Sequence, residues 1–267
     1  MQLRERIAEG AQAEIFALGE DRVVKLFRPG WEASDVAEEA RKTAAIAALG
    51  FRTPRIHDVV EIDGRCGFVM ERVIGPTLLE LALADPDGVV QRTARLVELQ
   101  ARLHALECPD LPRLEPRVAA RLMQSPLSAE ERAAALRCLD ACPRGDAIYH
   151  GDFHPGNVLS IAAGLCVIDW FGAARAHPAA DVAQSYLVVT TAILPASLPA
   201  EARARLQAMR PLFDAAYLDG YLALTGARRE DVHAWIRPLA AARLAVLQPG
   251  MDGEALLAFA TGARSPA

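Results

Sequence analysis

The sequence is poor in aromatic residues and carries no excess of positive charge. Phe, Trp and Tyr make up 6% of the 267 residues, and the formal net charge is −5. Broad nucleic-acid binding needs a positive surface that displaces counterions from phosphate, so the composition predicts a protein that does not bind nucleic acid. The hydrophobic content of 52% is still enough for a large core, in one domain or in two with a cleft between them.

Cysteine is scarce and its number is odd. An odd count without paired spacing predicts reduced thiols in a cytoplasmic protein rather than a disulfide framework. Two of the cysteines, four positions apart, share a helix face if the segment is helical, but two thiols alone make a poor metal site. We therefore expect them to be small buried hydrophobic residues. The five cysteines are Cys66, Cys108, Cys138, Cys142 and Cys166, and the close pair is Cys138 and Cys142.

Long apolar runs are also missing. The first residues, MQLRERIAEGAQAE, contain no apolar segment typical of a signal peptide, and no run approaches the length that crosses a bilayer. The sequence therefore predicts a cytoplasmic protein without membrane contact. It contains no internal repeat, and nothing in it indicates an oligomeric state.

The first seventy residues favour a small sheet with one helix against it. The composition and apolar spacing of residues 32–50 predict the helix, with Ser34 as its N-cap and Gly50 as its end. Residues 59–65 predict a hairpin turn. Further β-like runs lie at 14–18, 22–27 and 67–73.

From about Gly75 onward the sequence is mainly helical, interrupted by a few strand-like runs. We therefore predict an α+β fold with two lobes, a small β-rich lobe over residues 1–72 and a larger helical lobe over residues 73–267. Amphipathic helices are predicted at 88–106, 128–142, 200–224 and 230–247. The strand-like runs are 147–151, 157–161 and 164–170.

The stretch 150-HGDFHPGN-157 concentrates polar residues in a turn. The Pro-Gly pair in it forces a turn that allows Asp152 and Asn157 to point into one cavity. The following strand-like run ends in a second acid, Asp169. These three side chains offer the oxygen ligands that Mg²⁺ prefers when it is shared with phosphates. The alternative is a turn stabilised by its own side chains, because Asp and Asn commonly bond to nearby backbone.

Together, HGDFHPGNVL and the later VIDW resemble the signature of the aminoglycoside phosphotransferase and choline kinase group, which shares the protein-kinase fold. The resemblance implies that Asp152 is the catalytic base and that Asn157 and Asp169 hold Mg²⁺. It implies that His150 braces the loop, while His154 has no assigned role.

The same resemblance extends to the β-rich lobe, which it implies binds the nucleotide. It requires a lysine on a strand, and Lys25 in 22-RVVKLF-27 fits as the group that contacts the nucleotide phosphates. Its partner acid is expected on the following helix. Glu39 is the preferred candidate because it lies in an E-A-R context, and Glu38 is the alternative.

Two further segments follow from the resemblance. Residues 69–73 resemble the hinge between lobes, where backbone groups pair with the adenine edge. Gly10 to Glu14 is expected to cover the nucleotide, although alanines replace the usual glycines there. The hinge candidates are Met70, Glu71 and Val73.

The resemblance also implies a role for Asp181. It is expected to anchor the catalytic loop, or else to be a simple acid at a helix N-terminus.

The implied reaction transfers the γ-phosphate of ATP or GTP to a hydroxyl of an aminoglycoside, amino alcohol, sugar or similar metabolite. The acceptor is expected among the helices after Asp181. Residues 185–267 contain seven Asp and Glu against eight Arg, so their balance does not indicate a pocket for a polycation. Single acids remain candidates, and Tyr217 with Trp235 is a candidate pair to enclose a choline-like ammonium. The acids are Asp214, Asp219, Asp252 and Glu254.

Two other classes of function stay open. A zinc or two-metal hydrolase would use the His and Asp residues of the same stretch as ligands, but it would not need Lys25 or Glu39. A nucleotide-binding module without catalysis is favoured only by the poor glycine loop. The hydrolase ligands would be His150, Asp152, His154 and Asp169.

Overall fold

The computed structural model describes residues 3, 5–10, 12–194, 198–247 and 250–264. Its first region is a five-stranded antiparallel sheet in the order β1-β2-β3-β5-β4, with helix α1 packed against β4 and β5. The strands are β1 (Arg6–Glu9), β2 (Ala13–Leu18), β3 (Arg22–Phe27), β4 (Ile56–Ile62) and β5 (Arg65–Glu71), and the helix is α1 (Ala33–Ala48).

Local sequence explains how this sheet and its helix are bounded. Asp63 and Gly64 both adopt positive φ, 51° and 73°, which is the backbone of a tight hairpin turn between β4 and β5. Gly50 follows α1 with φ of 80° and donates its amide to the carbonyl of Ala47, so it ends the helix as predicted. The predicted N-cap is wrong. Ser34 lies inside the first turn, and Glu32 occupies the cap position without a side-chain hydrogen bond.

The second region is mainly helical. Two short two-stranded sheets interrupt the helices, one pairing β6 with β9 and the other pairing β7 with β8. The helices are α2 (Leu78–Ala84), α3 (Val89–His104), α4 (Leu114–Gln124), α5 (Ala129–Ala141), α6 (Pro178–Thr190), α7 (Ala200–Thr225), α8 (Arg229–Leu244) and α9 (Gly253–Thr261). The strands are β6 (Ala147–Tyr149), β7 (Val158–Ile161), β8 (Gly164–Val167) and β9 (Ala174–Ala176).

The core of the helical region is built around α8, which packs against α4, α5, α6 and α9, while α3 packs against α7. Tyr217 and Trp235 have 0% exposure and belong to this core. Because neither side chain is exposed to an open site, the choline-like hypothesis based on them is wrong. Cys142 is buried and donates its thiol to the carbonyls of Cys138 and Ala234, and all five cysteines are free thiols.

The predicted division into a β-rich and a helical region is therefore the observed one. Its boundary between residues 72 and 73 stays a prediction, lying in the segment between β5 and α2. Within the described residues, none of the helices has the length and hydrophobicity of a membrane span.

Candidate active site

Lys25 lies at the centre of a three-residue charged cluster between the two regions. Its ammonium is 2.6 Å from Glu39 Oε1 on α1 and 3.0 Å from Asp169 Oδ1, which follows β8. Glu38 instead pairs with Lys42 one turn along α1, at 2.7 Å. Of the two candidate partners, the structure therefore brings Glu39 to Lys25.

The electrostatics of the cluster keep Lys25 charged. Burial disfavours the ammonium, but the carboxylates of Asp169 and Glu39 outweigh burial and raise the pKa of Lys25 above its ordinary value. A positive side chain is thus held against Asp169, which itself lines the cavity described below.

Asp152 and Asn157 are joined by the turn that the Pro-Gly pair creates. Asn157 Nδ2 donates to Asp152 Oδ2 at 3.0 Å and to the Asp152 carbonyl at 2.9 Å. Asp152 lines the cavity described below, and no donor reaches its Oδ1 within the described residues. One carboxylate oxygen is therefore fixed and the other is free to accept a proton.

His150 is a fully buried brace beneath this turn. Its Nε2 hydrogen bonds with the carbonyl of Ile168, and its Nδ1 accepts the amide of Asp152. Burial lowers the pKa of His150, so the ring is neutral with its proton on Nε2. Both nitrogens are engaged, and neither is available to a metal.

His154 is the residue for which the sequence indicates no role. Its Nδ1 accepts the amide of Gly156, and its Nε2 lies 3.5 Å from Asp152 Oδ2. Burial would raise the pKa of Asp152, but the contacts with His154, together with the charges around it, lower that pKa to about 2. Asp152 is therefore ionised at neutral pH, as a base must be.

Asp181 anchors the loop that carries Asp152 by accepting hydrogen bonds from its backbone. Its Oδ1 accepts the amides of His150 at 3.0 Å and Gly151 at 2.8 Å. Its Oδ2 accepts Gln100 Nε2 at 3.0 Å and lies 3.2 Å from His104 Nε2. Burial is outweighed by these donors, which lower the pKa of Asp181. The acid also lies in the first turn of α6, so both sequence expectations describe its position.

Sequence patterns do not identify Gln100 and His104 as the side chains that contact the Asp181 carboxylate. The available signal is a polar residue inside the buried stripe of α3, where Gln100 has 0% exposure beside Leu99 and Leu103. Such a residue needs a buried partner, but only the tertiary structure identifies the partner as Asp181.

Asn157 and Asp169 lie next to each other because the amide of Ile168 donates to the carbonyl of Asn157 at 3.0 Å. Asp169 adopts a left-handed φ of 66°, which turns its carboxylate toward Lys25. Over the described part of the chain, no group of three or more His, Cys, Asp and Glu side chains is arranged to hold a metal. The zinc hydrolase alternative would use His150 as a ligand, but both of its ring nitrogens are engaged within the protein.

Several backbone groups of the predicted hinge are already hydrogen bonded within the protein. The amide of Glu71 donates to the Arg55 carbonyl, and the amide of Arg72 donates to the Asp21 carbonyl. The Glu71 carboxylate forms a two-fold ion pair with Arg52, at 2.6 and 2.8 Å. The amide of Val73 has no hydrogen-bond partner within the described residues, and Met70 pairs within the sheet.

The loop between β1 and β2 reaches the same cleft. The amide of Gly10 donates to the Ala13 carbonyl at 2.8 Å, and the Gly10 carbonyl accepts from Arg28. Gln12, rather than Gly10, lines the cavity beside Asp152. Ala11 lies outside the described residues.

A cavity of about 420 Å³ opens beside Asp152 and Asp169. Three arginines line it, two from α4 and one from the last turn of α8, and sequence patterns do not single them out. The i, i+4 spacing of the α4 pair is the signal that places two of them on one helix face. The arginines are Arg117, Arg121 and Arg243.

The four acids that are candidates for a cationic acceptor do not line this cavity. Asp219 pairs with Arg229 on the surface, and Asp252 caps α9 by accepting the amide of Ala255. Asp214 Oδ1 is buried without a hydrogen-bond partner. The remaining candidate is Glu254 in the first turn of α9.

Asp214 gives a testable pH dependence of stability. Burial raises its pKa to about 6, against the opposing charges of Arg210 and Arg264. Because the folded pKa exceeds the unfolded value of about 3.9, ionised Asp214 costs stability above about pH 6, and the cost disappears below about pH 4. Asp214→Asn is expected to stabilise the half-buried site by about 1 kcal/mol near pH 7 in urea unfolding. A variant less stable than wild type there contradicts this account, and Asp219→Asn is the control that should show no gain.

A family model described as the phosphotransferase enzyme family matches residues 4–230. The match covers most of the chain, so the chain belongs to this family and is a phosphotransferase that acts on an alcohol group. The resemblance seen in the HGDFHPGNVL and VIDW motifs is confirmed. No curated protein matches the chain in sequence.

Solved structures with the same fold include both aminoglycoside and choline kinases. An aminoglycoside-3'-phosphotransferase of type VIII is 23% identical with a TM-score of 0.60, and the alignment covers 91% of this chain and 90% of that one. APH(3'')-Id from Streptomyces rimosus is 17% identical, with a TM-score of 0.59 and coverages of 89% and 92%. A choline/ethanolamine kinase family protein from Mesorhizobium loti is 20% identical, with a TM-score of 0.57 and coverages of 97% and 84%. The predicted kinase-like fold is confirmed.

Proposed function

We propose that this phosphotransferase moves the γ-phosphate of ATP or GTP to a hydroxyl of a small molecule, with Asp152 as the catalytic base. The observation that carries the proposal is that Asp169, which contacts Lys25, lines one cavity together with Asp152, whose Oδ1 accepts no hydrogen bond within the described residues. The APH(3'')-Id structure in complex with ADP and streptomycin supports a nucleotide as the donor.

In the proposed reaction the acceptor oxygen forms a bond to the γ-phosphorus while the bond to the bridging β–γ oxygen breaks. The acceptor's proton passes to Asp152 Oδ1, and the nucleoside diphosphate leaves with the electron pair. Asn157 keeps the carboxylate oriented through its hydrogen bond to Oδ2, and Lys25 holds the phosphates of the donor. Positioning and charge neutralisation are the main demands of this chemistry.

The donor set fits Mg²⁺. Asn157 Oδ1 and Asp169 Oδ2 carry no hydrogen bond within the described residues, and two oxygen ligands plus substrate phosphates are a typical magnesium site. These two residues would hold the ion, whose charge would offset that of the phosphates. The Asn157 amide nitrogen is directed to Asp152, which leaves its oxygen for this role.

The nucleotide itself is expected to lie between the β1–β2 loop and the segment after β5. Val73 is the candidate for adenine recognition because its amide is unpaired, and the backbone of Met70 and Glu71 is already engaged. Gly10 and Gln12 would cover the phosphates.

The function is tested by phosphoryl transfer from γ-labelled ATP, and separately GTP, into pools of hydroxylated compounds with Mg²⁺. Label in a compound with wild type, and none with Asp152→Asn, supports a small-molecule kinase. Nucleotide binding without transfer to any pool would instead favour a non-catalytic nucleotide-binding module of the same fold.

Lys25→Met is expected to weaken nucleotide binding by about 10- to 100-fold, because it removes a charge-assisted contact to phosphate. It also leaves Glu39 buried without a counter-charge, so the double variant Lys25→Met/Glu39→Gln is the matched control for folding. Calorimetric titration with a nonhydrolysable ATP analogue measures the change. Wild-type affinity in the well-folded double variant would remove Lys25 from the phosphate site.

A further inference from the structure

The cavity next to Asp152 is lined by three positive side chains from two helices. Arg117 and Arg121 lie one turn apart on α4, and Arg243 lies in the last turn of α8. The carboxylates among its described lining residues are Asp152 and Asp169, and Asp169 is already paired with Lys25. The surface facing the Asp152 carboxylate is thus strongly positive.

These arginines have no close ion-pair partner among the described residues, although the charge of Asp152 acts on Arg243 and that of Glu38 on Arg117. Within the described residues, none of them forms an ion pair within 4.0 Å; Arg117 donates to the Gly172 carbonyl at 2.6 Å. Arg243 Nε is buried without any hydrogen-bond partner. Half-buried guanidinium groups without a close ion pair are costly, and each keeps donors free for a ligand.

Burial and the neighbouring charges also affect the pKa values of two of these arginines. Burial lowers the pKa of Arg117 and of Arg243, and the charge of Arg121 acts in the same direction. Tyr149 and Glu38 oppose this at Arg117, and Asp152 and Tyr149 oppose it at Arg243, without outweighing burial. An anion between the two helices would relieve this repulsion. Guanidinium groups suit carboxylate and phosphate because their donors match those oxygens in pairs.

We propose that the acceptor is a small hydroxylated acid whose anionic group, a carboxylate or a phosphate, binds Arg121 and Arg243 while its hydroxyl faces Asp152. This inference rests on the proposed kinase function and narrows its acceptor. A cavity of about 420 Å³ suits a small metabolite. A polycationic aminoglycoside or a choline-like cation would meet three positive groups in the same space.

The donor nucleotide is the competing anion for these arginines. Lys25 and the proposed magnesium ligands, Asn157 and Asp169, already offer a site for its phosphates. The arginines line the wall formed by α4 and α8 instead. A role in acceptor binding therefore predicts changes in the KM of the acceptor but not in that of the nucleotide.

The experiment uses acceptors in matched sets that share a hydroxylated skeleton. One set is glycerol, glycerate and glycerol phosphate, and another is glucose, gluconate, glucose 6-phosphate and glucosamine, with choline and kanamycin added. Label from γ-labelled ATP is expected in acids only, and the carboxylate and phosphate arms distinguish the two anionic groups. Arg121→Gln and Arg243→Gln are each expected to raise the KM for the acid at least about tenfold. Arg137→Gln, an exposed arginine on α5, is the matched control and should change nothing.

A second readout does not depend on transfer. Sulfate is titrated calorimetrically into the protein saturated with a nonhydrolysable ATP analogue, and its binding is expected to weaken at least about tenfold in Arg121→Gln and Arg243→Gln. Loss of sulfate binding in these variants with no transfer to any compound supports the anion site and counts against the kinase function. Transfer to neutral or cationic compounds alone, with sulfate binding unaffected by both variants, overturns the acidic acceptor and leaves the kinase function standing.

Discussion

Replacing Asp152 with asparagine is expected to lower the turnover number by about 10²- to 10⁴-fold, the usual contribution of a positioned base. Asparagine has the same shape and can still accept the hydrogen bond from Asn157, but it cannot take the acceptor's proton. Nucleotide affinity should stay at the wild-type value because Lys25 and Asp169 are unchanged. Label transfer under saturating nucleotide and acceptor measures the turnover number, and calorimetry measures the affinity.

Two comparisons decide whether the loss is specific to the base. Asp140→Asn, an exposed acid on α5, should retain full turnover. Asp169→Asn, at a position whose positive φ asparagine tolerates, should lose the Mg²⁺-dependent part of nucleotide affinity. Wild-type turnover in Asp152→Asn would overturn its role, and equal loss of nucleotide affinity in both site variants would make Asp152 part of the donor site.

Asp181→Asn is expected to lower the free energy of unfolding by about 1–3 kcal/mol, because it leaves buried donors without an acceptor. The carboxylate accepts from two backbone amides and faces two side chains of α3, whereas an amide has a single acceptor oxygen. Such a loss is a large fraction of the stability of a typical domain. Urea unfolding followed by circular dichroism measures it.

Asp219→Asn is the control for this second prediction. Asp219 is exposed and its ion pair with Arg229 lies on the surface, so its replacement should change stability by less than about 1 kcal/mol. Equal small effects of the two variants would show that Asp181 is not essential to the loop. A folded Asp181→Asn protein should also lose turnover, because the amides of His150 and Gly151 set the position of Asp152.

Much of the β-rich region was predictable because its signals are local. The β-branched and apolar residues of 22-RVVKLF-27 and the Asp63-Gly64 turn specify a strand and a hairpin without reference to the rest of the chain. The cap at Ser34 failed because capping depends on where the first turn starts, and the helix starts one residue before Ser34, at Ala33. Strand β1 carries no such signal, since all of its residues are exposed.

Local sequence patterns do not determine which residues far apart in the chain contact each other. The choice of Glu39 over Glu38 rested on resemblance, and the ion pair at 2.6 Å is a tertiary contact between β3 and α1. Tyr217 and Trp235 have the chemistry of a cation-binding pair, but helix packing buries both in the core. The arginines of α4 and α8 are far apart in sequence, so only packing brings them to one cavity.

The sequence by itself determined the order of elements, the turn that joins Asp152 to Asn157, and the membership of a phosphotransferase family, because each depends on neighbouring residues or a short motif. The tertiary structure decided which charges meet. It paired Lys25 with Glu39 and Asp169, placed Asp181 beneath the loop, and set unpaired arginines opposite Asp152. The physical reason is that burial and counter-charge depend on which elements pack together, and a linear sequence does not record that.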